Sequence, residues 1–159
     1  MNNAKSIPKA LIGISGTHFV AGELTRRGYI ATITSRNTKG IDILVSDSGG
    51  KKPIAIQVKA TLGKNSPRAW ILSENDEVVK SDNLFYVFVN LDEAKRGRLP
   101  EFFVVPCKNV SKYTKTEHAE WKNKPGKTGK KHNKTSIRMF RDKEGKYLNR
   151  WDLLGLKRQ

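Results

Sequence analysis

The sequence predicts an α/β domain, and two patterns carry that expectation. Near the N-terminus lies one stretch of apolar residues at helical spacing, and after it comes a succession of short β-branched or aromatic runs separated by Gly, Pro and Lys-rich breaks. At 159 residues the chain is long enough for one domain with its own hydrophobic core and short for two. A single domain over residues 1–159 is therefore expected.

Ser15 to Arg27 places Phe19, Val20 and Leu24 on adjoining turns, with Glu23 between them and Gly28 set as a C-cap, so one helix is expected there. Tyr29 to Ser35 is rich in β-branched residues and reads as a strand, broken by the polar run from Arg36 to Gly40. Ile41–Val45 and Pro53–Thr61 are two further apolar runs, joined by Asp47 to Lys52, whose glycines suit a tight reversal; together they predict a hairpin. Trp70 to Ser73 is a short strand candidate. Asn83 to Asn90 holds the most strand-like run, expected to be central, and Glu101 to Val105, stopped by Pro106, is expected to pair beside it. Lys108 to Lys122 carries Val110, Tyr113 and Trp121 at roughly helical spacing, ended by Pro125-Gly126. Lys122 to Lys134 holds six lysines and no acid and predicts a basic loop. Ser136 to Phe140 is expected to add an edge strand, and Tyr147 to Leu156 a short capping helix with Trp151, Leu153 and Leu154.

Charge is the first functional clue. The chain has 31 Lys+Arg against 15 Asp+Glu, a formal net charge of +16, which sets up a strong positive field around so small a body and implies a polyanionic partner. DNA or RNA fits best, with ribosome-like RNA packing and an acidic protein partner as the alternatives. No apolar run approaches the ~20 residues that a membrane span needs. Met1 to Pro8 has no apolar segment with a small-residue cleavage site, so export is not expected and the cytoplasm is the expected location. The single cysteine, Cys107, and three scattered histidines build neither a disulfide nor a Cys/His zinc cage. His18 and His132 are not expected to be metal ligands.

The chemistry-bearing region is the hairpin. Side chains alternate along a strand, so Ile54, Ile56 and Val58 face one way and Ala55, Gln57 and Lys59 the other. A reversal centred near Gly49 puts Asp42 opposite Gln57, where cross-strand Cβ atoms lie ~5 Å apart. A carboxylate and an amide oxygen are hard donors suited to Mg2+, with Mn2+ able to substitute, and a neighbouring lysine suits phosphodiester hydrolysis. A half-exposed hairpin with a turn-proximal Asp and a snorkelling Lys is the plainer account of the same residues.

At Gly40-Ile-Asp42 and Ile56-Gln57-Val58-Lys59 the chain resembles the PD-(D/E)XK nuclease superfamily, in the variants with Gln for the second acid, similar to Mrr-like restriction enzymes and Holliday-junction-resolvase-like domains. The order of elements is also similar: a helix ending at Arg27-Gly28-Tyr29, a strand, the Asp strand, then the Gln-X-Lys strand. The resemblance spans about residues 12–106 and leaves 107–159 as decoration. It implies a restriction endonuclease-like core, a central mixed β-sheet flanked by helices, and metal-dependent DNA endonuclease activity. On that pattern Asp42 and Gln57 are the metal residues and Lys59 the base or orienting group. Many relatives carry a glutamate on the first helix about three turns before the Gly-aromatic pair, where this chain has Thr17. Glu23 is the only acid on that helix and is the substitute candidate, or else a partner for Arg26 or Arg27. A catalytically silent DNA-binding module of the same fold and an RNA-associated structural protein are the rival readings.

Ser35, Arg36, Lys39, Lys64, Arg68, Lys127, Lys130 and Lys131 are expected to track a DNA backbone, because flexible basic side chains position nucleic acid without reading its sequence. Trp70, Trp121 and Trp151 are expected as core or interface anchors in preference to the alternative of base-stacking platforms, and Tyr86, Phe88, Phe102 and Phe103 as core. The segment around Trp151 would serve a homodimer or cover the core.

Overall fold

The computed structural model describes residues 7–35, 40–63, 68–92, 97, 99–126, 129 and 132–157. Helix α1 (Lys9–Arg26) precedes strands β1 (Ile30–Ile33), β2 (Ile43–Ser46), β3 (Ile54–Thr61) and β4 (Ala69–Ser73). A 3-10 turn (Glu74–Glu77) leads to β5 (Leu84–Asn90) and β6 (Glu101–Pro106), followed by α2 (Cys107–Asn123), β7 (Ile137–Arg141) and a second 3-10 turn (Trp151–Leu154). The main sheet has the order β1-β2-β3-β5-β6, mixed in direction: β3 and β5 run parallel, and every other pairing in it is antiparallel. The protein is thus α/β, with a five-stranded mixed sheet and two helices.

Strand alternation sorts side chains between two cores. On one face, Ile43, Val45, Ile54, Ile56, Val87 and Val104 pack with Val20 and Leu24 of α1. On the other, Tyr86, Phe88, Phe103 and Val105 pack with Trp70, Leu72 and Phe140 of the small β4–β7 sheet and with Val110 of α2. With one face covered by α1 and the other by the β4–β7 sheet and α2, all seven residues of β5 are buried, as its apolar run foretells.

Helix α1 begins six residues before the expected Ser15, at Lys9. Its glycines dilute the helical signal, yet Gly16 has a packing reason. A Cβ there would lie 2.5 Å from the Cβ of Ala60, so α1 crosses β3 closer than any side chain would permit. Gly28 follows the helix at a φ of +87°, the left-handed conformation expected of it. The β2–β3 hairpin, the β5–β6 pairing and α2 form where the sequence places them.

Two expectations need correction. The capping helix over Tyr147 to Leu156 is only a 3-10 turn, Trp151–Leu154. Ahead of it the backbone is committed elsewhere: the Asp142 carboxylate accepts the N–H groups of Lys146 and Tyr147 at 2.9 and 2.8 Å, and Leu148 bridges to Phe103. Second, residues 107–159 are more than decoration. Phe140 stacks on Phe88 with centroids 4.4 Å apart, and Trp151 and Leu154 are buried beside Phe102 and Leu24. Trp151 therefore covers the core of its own chain. Trp121 departs from the other two tryptophans, being only half-buried.

Candidate functional site

The hairpin register delivers the juxtaposition expected of it. Ile43 pairs with Ile56, and one residue further out the Asp42 N–H donates to the Ile56 carbonyl at 2.8 Å. The Val58 N–H in turn donates to Asp42 Oδ2 at 2.7 Å. The carboxylate is thereby fixed at the β2–β3 seam, on the peptide nitrogen between Gln57 and Lys59. Asp42 is steadied from its other side by β1's continuation, where the Thr34 N–H donates to the Asp42 carbonyl at 3.0 Å. Ser35 follows and is exposed.

Gln57 and Lys59 open into a cleft of about 660 Å³, walled also by Ile41 and Leu44 from the Asp42 strand and by Ser73, Asp76 and Tyr86. In the parallel pairing with β5, Gln57 stands beside Tyr86 and Lys59 beside Phe88. The cleft is therefore backed by the buried strand β5.

Asp76 is the residue that sequence reasoning missed. It is buried, accepting the Tyr86 hydroxyl at 2.6 Å on one oxygen and the Ser73 N–H and hydroxyl at 2.7 and 2.8 Å on the other. Burial, the largest single influence, pushes its pKa up. The Tyr86 and Ser73 hydrogen bonds and the Lys59 charge outweigh it and hold the carboxyl below its usual range. Burial and the same carboxylate push the Tyr86 phenol far above its ordinary value. The available signal was Ser73-x-x-Asp76, a capping-box pattern at the turn. Its long-range partners, Tyr86 and Lys59, had no local signature.

Glu23 does not join this group. It accepts Arg26 Nε and Nη2 at 3.0 and 2.9 Å and Arg27 Nε at 2.9 Å. Burial alone would raise its pKa, and the two guanidinium partners hold it below the usual range. No described contact links it to Asp42, Gln57 or Lys59, so of the two roles weighed for it the arginine partnership is the one built. Thr17 donates its hydroxyl to the Gly13 carbonyl at 3.1 Å within α1. Arg68 is also engaged, donating to Glu101 Oε1 and to the Lys143 carbonyl, both at 3.2 Å, and lying over the Phe103 ring. Arg36, Lys39, Lys64, Lys127, Lys130 and Lys131 lie outside the described residues.

A divalent ion can be tested against the donor chemistry. Asp42 Oδ1 has no hydrogen-bond partner among the described residues, and the Gln57 amide oxygen adds a second hard donor. Among the described residues no three His, Cys, Asp or Glu side chains gather into a metal-holding group. The hard donors at this hairpin are thus one carboxylate and one amide oxygen.

Fold and site together define an α/β protein whose mixed sheet carries Gln57 and Lys59 on a half-open cleft, with the Asp42 carboxylate on the Val58 N–H between them. No family model, curated protein or solved structure matches the chain. Among the described residues no helix is long and apolar enough to cross a membrane.

Proposed function

We propose that this protein is a metal-dependent DNA endonuclease with a restriction endonuclease-like core, hydrolysing phosphodiester bonds at the Asp42–Gln57–Lys59 hairpin. The observation that carries the reading is the Asp42 carboxylate seated on the Val58 N–H, between the two residues that open into the cleft. The net charge of +16 supports a polyanionic substrate.

Asp42 and Gln57 would hold Mg2+ or Mn2+, and the bound ion supplies Lewis acidity and an activated water for attack on phosphorus. The chain's own residues do the rest. Lys59 Nζ, as an ammonium, orients the attacking water and balances the negative charge that grows on the phosphate oxygens as the P–O bond to the leaving oxygen breaks. Asp76 lines the same cleft, and the Lys59 charge helps keep its carboxylate ionised.

One set of observations favours a second reading, a catalytically silent DNA-binding module of the same fold. Among the described residues Asp42 is the single carboxylate at the seam, Glu23 is taken by two arginines, and Thr17 stands where the resembled superfamily often places an acid. Cleavage of labelled linear duplex, single-stranded and four-way-junction DNA, with Mg2+, Mn2+ or EDTA, separates the two. Metal-dependent cutting by the parent, abolished in Asp42→Ala and Lys59→Ala, is the expected result. Salt-sensitive DNA binding with no cutting of any substrate would replace it with the silent module, and a preference for duplex RNA indifferent to Mg2+ would remove both.

A further inference from the structure

Three clefts share lining residues in sequence. The cleft at Gln57 and Lys59 meets a second, of about 590 Å³, at Lys59 itself. That second cleft meets a third, of about 390 Å³, at Met139. The path passes over the outer face of the β4–β7 sheet, where Ile71 pairs with Met139 and where Ile71 and Ile137 are 63% and 56% exposed. It ends at a column of near-parallel rings: Trp121 lies 5.4 Å from His118 and 4.0 Å from His132, with interplanar angles of 22° and 24°.

We propose that these clefts form one track for a single DNA strand, leading from the candidate cleavage site to a base-stacking terminus on the outer ring of the His118, Trp121 and His132 column. The proposal rests on the DNA reading above and extends it to the state of the strand. Cations stand along the path, with Lys59 and Lys9 in the middle cleft and Lys134 in the last. The acid that also lines the last cleft, Glu117, is neutralised by Arg141 at 2.5 Å, and Asp76 in the first shares that cleft with Lys59. Apolar floor, aromatic column and flanking lysines are what an unpaired strand needs, since its bases expose their faces. A duplex keeps its bases stacked internally and has none to offer the column. Met139, flexible and polarizable, suits a floor that must accept different bases.

The test is binding in EDTA, so that cleavage does not enter. Fluorescence anisotropy compares a labelled mixed-sequence single-stranded DNA, the same sequence as duplex, and its RNA counterpart, for the parent, Trp121→Ala and Met139→Glu. Each variant is first shown by circular dichroism to melt as cooperatively as the parent. The expected result is a loss of single-strand affinity on the order of tenfold in each variant, with duplex affinity changed by less than about twofold. Equal weakening toward duplex and single strand, no change in either, or tighter binding of RNA than of DNA would overturn the track. A parent that binds single strands in this pattern yet cuts nothing would remove the endonuclease reading and leave the track standing. A parent with no affinity for any DNA would remove both.

Discussion

Replacing Asp76 with alanine should destabilise the protein and loosen the wall of the cleft, and the size of the effect follows from what the carboxylate holds. Three donors end on it: the Tyr86 hydroxyl and the N–H and hydroxyl of Ser73. Tyr86 is 1% exposed, so its hydroxyl would be left without water or partner, at about 1–3 kcal/mol. Losing the cap of the Glu74–Glu77 turn adds about 1 kcal/mol, and relief from desolvating the carboxylate offsets part of the sum. A net loss of about 1–3 kcal/mol corresponds to a fall in Tm of about 2–12 °C for a chain of this size. Urea unfolding and thermal melts at neutral pH measure it directly.

Tyr86→Phe in the Asp76→Ala background removes both partners, so the double variant should lose less than the sum of the singles, by about 1–2 kcal/mol. The pH dependence has a definite sign. The folded carboxyl titrates below its ordinary value, so its contribution is present above the unfolded pKa of about 3.9 and vanishes as pH falls through the folded one. The gap in stability between parent and Asp76→Ala should therefore narrow below about pH 4. A Tm change within 2 °C of the parent, by the conversion above, or strictly additive singles, would refute the view that this carboxylate anchors the cleft.

Gly16→Ala places a methyl 2.5 Å from the Ala60 Cβ. Despite the better helix propensity it should lower urea stability by about 1–2 kcal/mol, and adding Ala60→Gly should recover most of the loss. Glu23→Gln breaks the pairs with Arg26 and Arg27 and should cost about 1–2 kcal/mol at neutral pH, a figure already discounted for the exposure of Arg26. Because the folded Glu23 pKa is lowered, that deficit should shrink on acidification below the ordinary glutamate range, as equilibrium unfolding across pH would show. Cys107 is 1% exposed, its S–H donates to the Val79 carbonyl at 3.2 Å, and burial raises its pKa. Its reaction with a disulfide reagent should be slower in the native protein than in urea by at least on the order of a hundredfold, and comparable rates would show that this wall opens readily.

Much of the main sheet was legible because strand alternation and glycine turns are local properties. The sharing of a face by Gln57 and Lys59 is dictated by a period of two, and the arrival of Asp42 beside them by the short Gly49-Gly50 reversal. Helix α2 and the buried β5 run were readable for the same reason. The first turn and a half of α1 was not, because Gly13 and Gly16 weaken the helical pattern, and the use of Gly16 is apparent only once β3 lies against it.

What the sequence by itself determined is therefore the hairpin, the placing of Asp42, Gln57 and Lys59 on it, and the net positive charge of the chain. Tertiary structure alone decided their surroundings. It set Asp76 beside Lys59 through the crossover from β3 to β5, tied Glu23 to Arg26 and Arg27, and brought β7 back to pair with β4. It also turned Trp151 into core and left Trp121 at the surface between two histidines. Those outcomes depend on which faces remain to be buried after the sheet has formed, and residues far apart in the chain compete for them. No spacing rule along a sequence encodes that competition, since it is settled by packing volume and by hydrogen-bond satisfaction in the folded molecule.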